Sequence, residues 1–494
     1  MEFLDPVAKK KKTRRLFIGY CLVSVLIALA TYIMVATAVG YEVFDFGDEV
    51  VQNGIVFVDS KPVSASVSIN GKLEKDKTNI KLVLNGGEYT VTLNESGYAS
   101  WTKKISIDGG KVRFFSYPWL FPTTITPSKL ADLPLNTGFT TQSPDYRWLV
   151  VQQNANIPAV EIFDLSKTKP TPTSVVFPQS ILSDINGNYG SFEVVSWAED
   201  NQHLLLCQKL PDGQRKYLLI DRENIDLSVN LSSVFGVAPT SVEFINKKYD
   251  KYYMYFATGG LLRTADLATK SIAEPILDQV LAYQAKDDLV LYATTKDADP
   301  GKVAVKILHS GESFAFTELD FDGSNNYFLE FDNFEGSWYY AVGSGVSSQV
   351  RIYRNPLNFI SAKTPKPASL LVALKAGVPS NLSFSPSNER FILVRSGQTI
   401  AIYDVEEDKS YKYDLPFIAD AGSKITWVDG SHLQGVAGGK LQVFEFDGQN
   451  NRELVGVRNM TPGYFSKDYK KLFSISPTDT ASSLNVTGLV APKN

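Results

Sequence analysis

The run from Leu16 to Gly40 contains no Asp, Glu, Lys, Arg or His and is mostly apolar. A helix needs about 20 such residues to cross a hydrocarbon core, so this run is long enough to span. Lys9, Lys10, Lys11, Lys12, Arg14 and Arg15 stand directly before it. Basic flanks stay on the cytoplasmic side, so the pattern predicts a cytoplasmic stub at 1–15, a transmembrane signal anchor at 16–40 and an exported remainder at the cell membrane. The competing reading is a cleaved signal with Ala36-Thr37-Ala38 as its cleavage site. A signal's apolar core is about 7–15 residues, and this one exceeds it, which favours the uncleaved, single-pass anchor.

After a linker at 41–53 the dominant period becomes two. Ala65, Val67 and Ile69 alternate with Ser64, Ser66 and Ser68; Ile80, Leu82 and Leu84 follow, and Tyr89, Val91 and Leu93 alternate with Thr90 and Thr92. This is the signature of half-buried strands. Asn70-Gly71, Asn85-Gly86-Gly87, Ser96-Gly97 and Asp108-Gly109-Gly110 separate them, residue types that close hairpins. The pattern predicts a compact antiparallel β module over 54–115.

A proline-punctuated connector, 116–122, leads into a self-similar region from 123 to 494. Its unit is a strand, a polar turn and an aromatic or aliphatic strand, first seen at Ser143-Pro144-Asp145-Tyr146-Arg147-Trp148-Leu149-Val150-Val151. Comparable stretches begin at Ala198, Asn246, Lys286, Phe334, Ser385, Val428 and Ser466. Spacing of about 40–50 residues with four strands per unit predicts propeller blades. Eight units are counted; seven blades result if the last supplies strands to another. Thr123-Thr124-Ile125-Thr126 is the candidate strand that fastens the ring.

Two resemblances sharpen this picture. Val56-Phe57-Val58, Ser60-Lys61-Pro62, Ala65-Ser66-Val67-Ser68-Ile69-Asn70-Gly71, Lys77-Thr78-Asn79, Gly87-Glu88-Tyr89-Thr90-Val91 and Gly97-Tyr98-Ala99-Ser100-Trp101 together resemble a PEGA domain. The naming tetrapeptide reads Pro62-Val63-Ser64-Ala65 here, and Asn79 stands where the family often has Pro. The resemblance implies a β-sandwich-like module of bacterial and archaeal surface proteins, with a binding or spacer role. Ser143-Pro144-Asp145 and the stretch from Phe384 to Val394 resemble the turns of TolB-type, WD40-like propellers. The expected fold is therefore an all-β ectodomain on one transmembrane helix, a small PEGA-like β-sandwich followed by a seven- or eight-bladed β-propeller.

Charge narrows the partners. Formal net charge is −4, and residues 41–494 carry 43 basic against 51 acidic groups, a balance of −8 that lacks the basic footprint of a nucleic-acid binder. Cys21 lies in the apolar run, leaving Cys207 alone outside it, so the exported part has no intrachain disulfide. That absence points towards a prokaryotic surface. Asn94, Asn230, Asn381, Asn459 and Asn485 head N-x-Ser/Thr triplets, which a chain rich in these residues yields by chance.

Candidate chemistry is sparse. His203, His309 and His432 fall in different units without zinc or metalloprotease spacing, and there is no G-x-S-x-G, Walker A or G-x-G-x-x-G motif; Gly343-Ser344-Gly345 is too short. Asp320-Phe321-Asp322-Gly323-Ser324-Asn325-Asn326 has its glycine fourth, not sixth as an EF-hand needs, and Phe446-Asp447-Gly448-Gln449-Asn450-Asn451 repeats the turn chemistry in a different place. Glu88, Tyr89, Tyr98 and Trp101 are the positions a ligand platform would use, but Tyr89 is in phase with the core and Tyr98 and Trp101 suit an edge cap. No residue is assigned to catalysis, a metal or a cofactor. The expectation is a non-catalytic envelope protein that recognises or scaffolds a protein, peptide or polysaccharide through its propeller. The alternative is a propeller enzyme acting on envelope polysaccharide or peptides with carboxylates at the channel mouth.

Overall fold

The structure, a computed structural model, describes residues 6–38, 52–134, 136–321, 323, 326–458, 461–478 and 481–491. Residues 1–5 of the expected stub, 39–40 of the expected anchor and 41–51 of the expected linker lie outside these, as do Asp322, Ser324 and Asn325 of the acidic turn and Asn459. The chain divides into two compact units, Met1–Thr124 with Ala491–Asn494, and Ile125–Val490.

The first unit begins with a helix, α1 (Pro6–Ala38). Within it Thr13–Val35, 23 residues of mean hydropathy 2.3 and none buried, is long and apolar enough to cross a membrane. Seven strands follow: β1 (Asn53–Val58), β2 (Ser66–Ile69), β3 (Lys72–Lys77), β4 (Ile80–Asn85), β5 (Gly87–Asn94), β6 (Trp101–Ile107) and β7 (Val112–Phe115). They form two sheets, β4-β1-β7 and β3-β2-β5-β6. Of the inward residues expected from alternation, Ala65, Val67, Ile69, Leu82, Val91 and Leu93 are buried in the core of this unit, while Ile80, Leu84 and Tyr89 are half-buried and pack against it. Asn70 and Gly71, at φ 50° and 81°, close the β2–β3 hairpin in the left-handed conformation that two-residue hairpins require.

Two expectations fail here. The module is not wholly antiparallel, because β1 and β7 pair in parallel. Parallel neighbours need a long crossover, and the chain between them supplies it by building the other sheet. Asn85-Gly86-Gly87 and Asp108-Gly109-Gly110 close no hairpin either: β4 and β7 pair β1 while β5 pairs β2 and β6, so these glycines carry the chain from one sheet to the other. Residues 116–122 do more than connect, since Trp119, Leu120 and Phe121 are buried and Leu120 lies in the module's core.

The second unit is a succession of eight four-stranded antiparallel sheets among the described residues. Seven are contiguous, at 140–176, 191–230, 241–272, 280–320, 327–374, 381–414 and 426–456. The eighth combines three strands at 464–488 with β8 (Pro127–Leu133), which pairs with Ser482–Gly488. Each of the eight turn-and-strand stretches recognised in the sequence supplies the second strand of one sheet, from Trp148–Gln152 to Lys471–Pro477.

The closing strand was expected at Thr123-Thr124-Ile125-Thr126 and lies instead at β8. Thr123 is tied into the first unit, where its amide and hydroxyl both donate to the Gly97 carbonyl. Sheets pack face to face through apolar side chains. Val150 and Ile162 of the first meet Leu204 and Leu206 of the second, and Leu149 and Phe163 of the first also meet Phe473, Leu484 and Leu133 of the eighth. The succession is thereby closed on itself, a propeller-like arrangement.

Repeated hydrogen bonds explain the turn signature. Ser143, Ser385 and Ser466 each accept, at Oγ, the backbone N–H of the residue entering the second strand, Trp148 (2.9 Å), Phe391 (3.0 Å) and Lys471 (2.9 Å). An acid at the end of the third strand completes the clasp in four sheets. Arg147 binds Asp164, Gln202 binds Asp221, Lys251 binds Asp266 and Arg390 binds Asp404. The same four carboxylates also accept backbone N–H groups of the turn that follows, so each fixes two turns at once.

Candidate functional site at the inner strands

The first strand of each sheet lies at one edge of it, and first strands of successive sheets run beside one another, Val280–Lys286 beside Tyr327–Phe334 and that beside Asn381–Phe384. They therefore form the inner side of the ring. Side chains tie inner strands together: Trp197 Nε1 donates to Thr141 Oγ1 (3.0 Å), Trp427 Nε1 to Ser383 Oγ (3.2 Å) and Gln142 Nε2 to the Phe465 carbonyl (2.9 Å).

On this side the third to sixth sheets gather titratable groups. Lys286 forms an ion pair with Asp332. Glu389, in the turn before the second strand of the sixth sheet, has its carboxyl raised by burial and by Asp332, with Lys286 and Lys247 opposing. Glu330 stands on the same inner strand as Asp332. Burial above all, then the neighbouring carboxylates of Asp332 and Glu243, push it up to about 8, while Lys286 opposes. Glu243 is raised by burial, and the Tyr283 phenol beside it is raised well above its ordinary range by burial and by that carboxylate. Glu330 thus keeps its proton at neutral pH, a carboxylic acid able to donate a hydrogen bond or a proton.

The sequence assigned no site role to Glu243, Lys286, Glu330, Asp332 or Glu389, although the enzyme alternative expected unnamed carboxylates at the channel mouth. The available signal was local: Glu330 stands between two buried apolar residues, Leu329 and Phe331, in the strand preceding a recognised turn. A charge at such a position is costly unless it is neutralised or partnered.

The residues that were singled out lie elsewhere. His203, His309 and His432 sit on three different sheets. His203 stacks on Tyr249 at 4.0 Å and bonds Asp200 at 2.6 Å, while buried His432 bonds Asp429 at 2.9 Å. Trp101 is a core residue, Tyr89 donates to the Asn85 carbonyl, Tyr98 Oη accepts the Ala491 amide, and Glu88 is exposed. Asn230 is buried with both amide atoms engaged, by Ile181 and Ser233. Cys207 is buried and burial raises its thiol, which disfavours the reactive thiolate. Among the described residues no group of three or more His, Cys, Asp or Glu is placed to hold a metal ion.

Comparison with known proteins adds one family assignment. Residues 53–118 match the PEGA domain family, the first unit's two-sheet module. No curated protein matches the chain. Similar solved structures include Hsv2 of Kluyveromyces lactis, 10% identical over 72% of this chain and 98% of that one, TM-score 0.38. An oligogalacturonate lyase of Vibrio parahaemolyticus is 11% identical over 74% and 99%, TM-score 0.37. Dihydro-heme d1 dehydrogenase NirN is 12% identical over 70% and 69%, TM-score 0.36. Fold alone does not decide activity, which has to be argued from this chain's own residues.

Proposed function

We propose that this chain is a single-pass cell-envelope protein, with residues 1–15 cytoplasmic, whose PEGA module and eight-bladed, TolB-like or WD40-like propeller lie outside the membrane. The propeller recognises or scaffolds an envelope protein, peptide or polysaccharide without altering it. The observation that carries this reading is the inner-strand cluster. Lys286, Asp332 and Glu389 offer donors and acceptors of both signs beside protonated Glu330, on the inner strands of the fourth and fifth sheets and the turn before the second strand of the sixth. Such a surface suits a polar ligand with many hydrogen bonds. The acidic excess of the exported part weighs against nucleic acid.

A second reading, an enzyme acting on envelope polysaccharide or peptides, is favoured by Glu330 alone, because an acid titrating near neutrality is what proton transfer to a leaving group uses. One experiment separates the two. The full chain in lipid nanodiscs is incubated with envelope polysaccharide, peptidoglycan fragments and peptides, with and without divalent metals, and assayed for retention and for product. Retention without product, weakened by Lys286→Ala, supports recognition. Product formation that Glu330→Gln abolishes selects the enzyme.

A further inference from the structure

The two outer faces of the PEGA module differ in kind. Outward positions of the four-stranded sheet include Ser66, Ser68, Glu88, Thr90, Thr92, Thr102, Lys104 and Ser106, with exposed Leu73 opposite Ser68, a largely polar face. Alternation in the other sheet turns Val56, Val58 and Leu82 inward and leaves Ile55, Phe57, Val83, Val112 and Phe114 on the outside. Strand register makes these one patch. Ile55 pairs with Val83 on one side and Val112 on the other; in the next row Phe57 pairs with Lys81 and Phe114. The Phe57 and Phe114 rings stack at 4.9 Å with 7° between their planes. Phe114 is 60% exposed, Val83 56% and Val112 50%. A folded domain does not leave a contiguous apolar sheet face in water without use for it.

We propose that this face rests on the headgroup–acyl boundary of an anionic bilayer, the same bilayer that α1 crosses. The inference rests on the membrane-anchor reading given above. Reach is the first argument: α1 ends at Ala38 and β1 begins at Asn53, and the fourteen residues 39–52 span at most about 50 Å when fully extended. The module is tethered within about 50 Å of the bilayer, so even a weak affinity for it is expressed. Charge is the second. Residues 52–124 carry nine Lys and Arg against six Asp and Glu, whereas residues 125–494 carry thirty-four against forty-one. The module is the basic part of the exported chain, although residues 41–51 before it carry four acidic and no basic groups, and Lys81 lies on the face itself. Stacked aromatics among aliphatic side chains with a basic group beside them are the composition that interfacial anchoring uses, apolar insertion combined with attraction to anionic lipid.

The test uses the full chain, with Cys21→Ser, one copy per phosphatidylglycerol nanodisc. A spin label at Val83→Cys is compared with labels at Lys75→Cys, in the exposed β3 strand, and at Ile27→Cys, in the helix. Collision with oxygen reports lipid, and collision with a water-soluble nickel chelate reports water. The Val83 label is expected to show an oxygen-to-nickel ratio several-fold above the Lys75 label. Phe57→Glu with Phe114→Glu is expected to return it to the Lys75 value. A Val83 label as open to nickel as Lys75, with Ile27 in lipid, overturns the proposal and leaves the anchor standing. A Val83 label shielded from both reagents means that protein, not lipid, covers the face, and also overturns it. An Ile27 label open to nickel overturns the anchor reading and this proposal with it.

Discussion

Arg390 holds Asp404 through two parallel hydrogen bonds, Nε to Oδ1 at 2.8 Å and Nη2 to Oδ2 at 2.6 Å, with the Asp404 side chain entirely buried. Arg147 and Asp164 repeat the geometry five sheets earlier, at 3.1 and 2.9 Å, but there the arginine side chain is half-exposed. The two clasps differ in what removal of the cation leaves behind. Without Arg390 a fully buried carboxylate has lost its charged partner, whereas Asp164, 9% exposed, lies under an arginine that is half open to water.

Arg390→Ala is therefore expected to lower unfolding stability by about 3–5 kcal/mol, the usual consequence of stranding a buried charge. Arg147→Ala is expected to cost clearly less. Urea titration of both variants checks the order, and equal losses would show that burial of Asp404 does not govern the clasp.

Closure of the ring gives a second expectation. Leu133, at the end of β8, is 2% exposed and packs with Leu484 and Phe473 of its own sheet and Leu149 of the first. Leu133→Ala removes that contact at the seam, and a loss of about 2–4 kcal/mol is expected. Because the seam joins the two ends of the unit, thermal unfolding should shift as one transition. A separate early transition confined to the eighth sheet would argue against closure as the source of cooperativity.

The sequence made the second strands legible because they are nearly continuous apolar runs behind a Ser or Asp turn, as in Ser385 to Val394. β8 was displaced because it is an outer strand: Pro127, Ser128 and Lys129 are exposed, so only Leu133 signals burial. The parallel β1–β7 pair was invisible for a different reason, since alternation specifies which face a residue takes but not which neighbour its strand pairs with. Glu330 escaped notice because its character comes first from burial and then from the carboxylates of Asp332 and Glu243, with Lys286 opposing, and Glu243 and Lys286 lie on other sheets.

Glycine requirements separate by surroundings. Gly190 has φ 70°, and a Cβ there would stand 1.9 Å from the Lys209 carbonyl oxygen; Gly213, at φ 87° on the tip of the next hairpin, has nothing within 4 Å. Both pay the left-handed penalty of about 1–2 kcal/mol on replacement by alanine. Gly190→Ala must also push a paired backbone apart, so its loss in urea unfolding should exceed that of Gly213→Ala. Equal losses would mean that the second sheet's edge yields without cost.

The protonated acid at the inner strands has a defined pH signature. An unfolded glutamate releases its proton near pH 4.3, while Glu330 in the folded chain keeps its proton up to about pH 8. Between these values the folded state binds more protons than the unfolded one, so its contribution to stability falls as pH rises and levels off above about 8. The steepest slope for one such group is about 1.4 kcal/mol per pH unit. Asp164 works in the opposite sense and in another window: the Arg147 hydrogen bonds hold it below the usual range, so its contribution is present above about pH 4 and is lost only on acidification. Glu330→Gln is therefore expected to flatten the decline between pH 5 and 8, leave the acid limb unchanged and make the variant the more stable protein at pH 8. Urea unfolding of both proteins across pH 3–9 provides the comparison. Parallel curves from pH 5 to 8 would show that Glu330 is ionised in the folded chain, and would remove the proton donor on which the enzymatic reading depends.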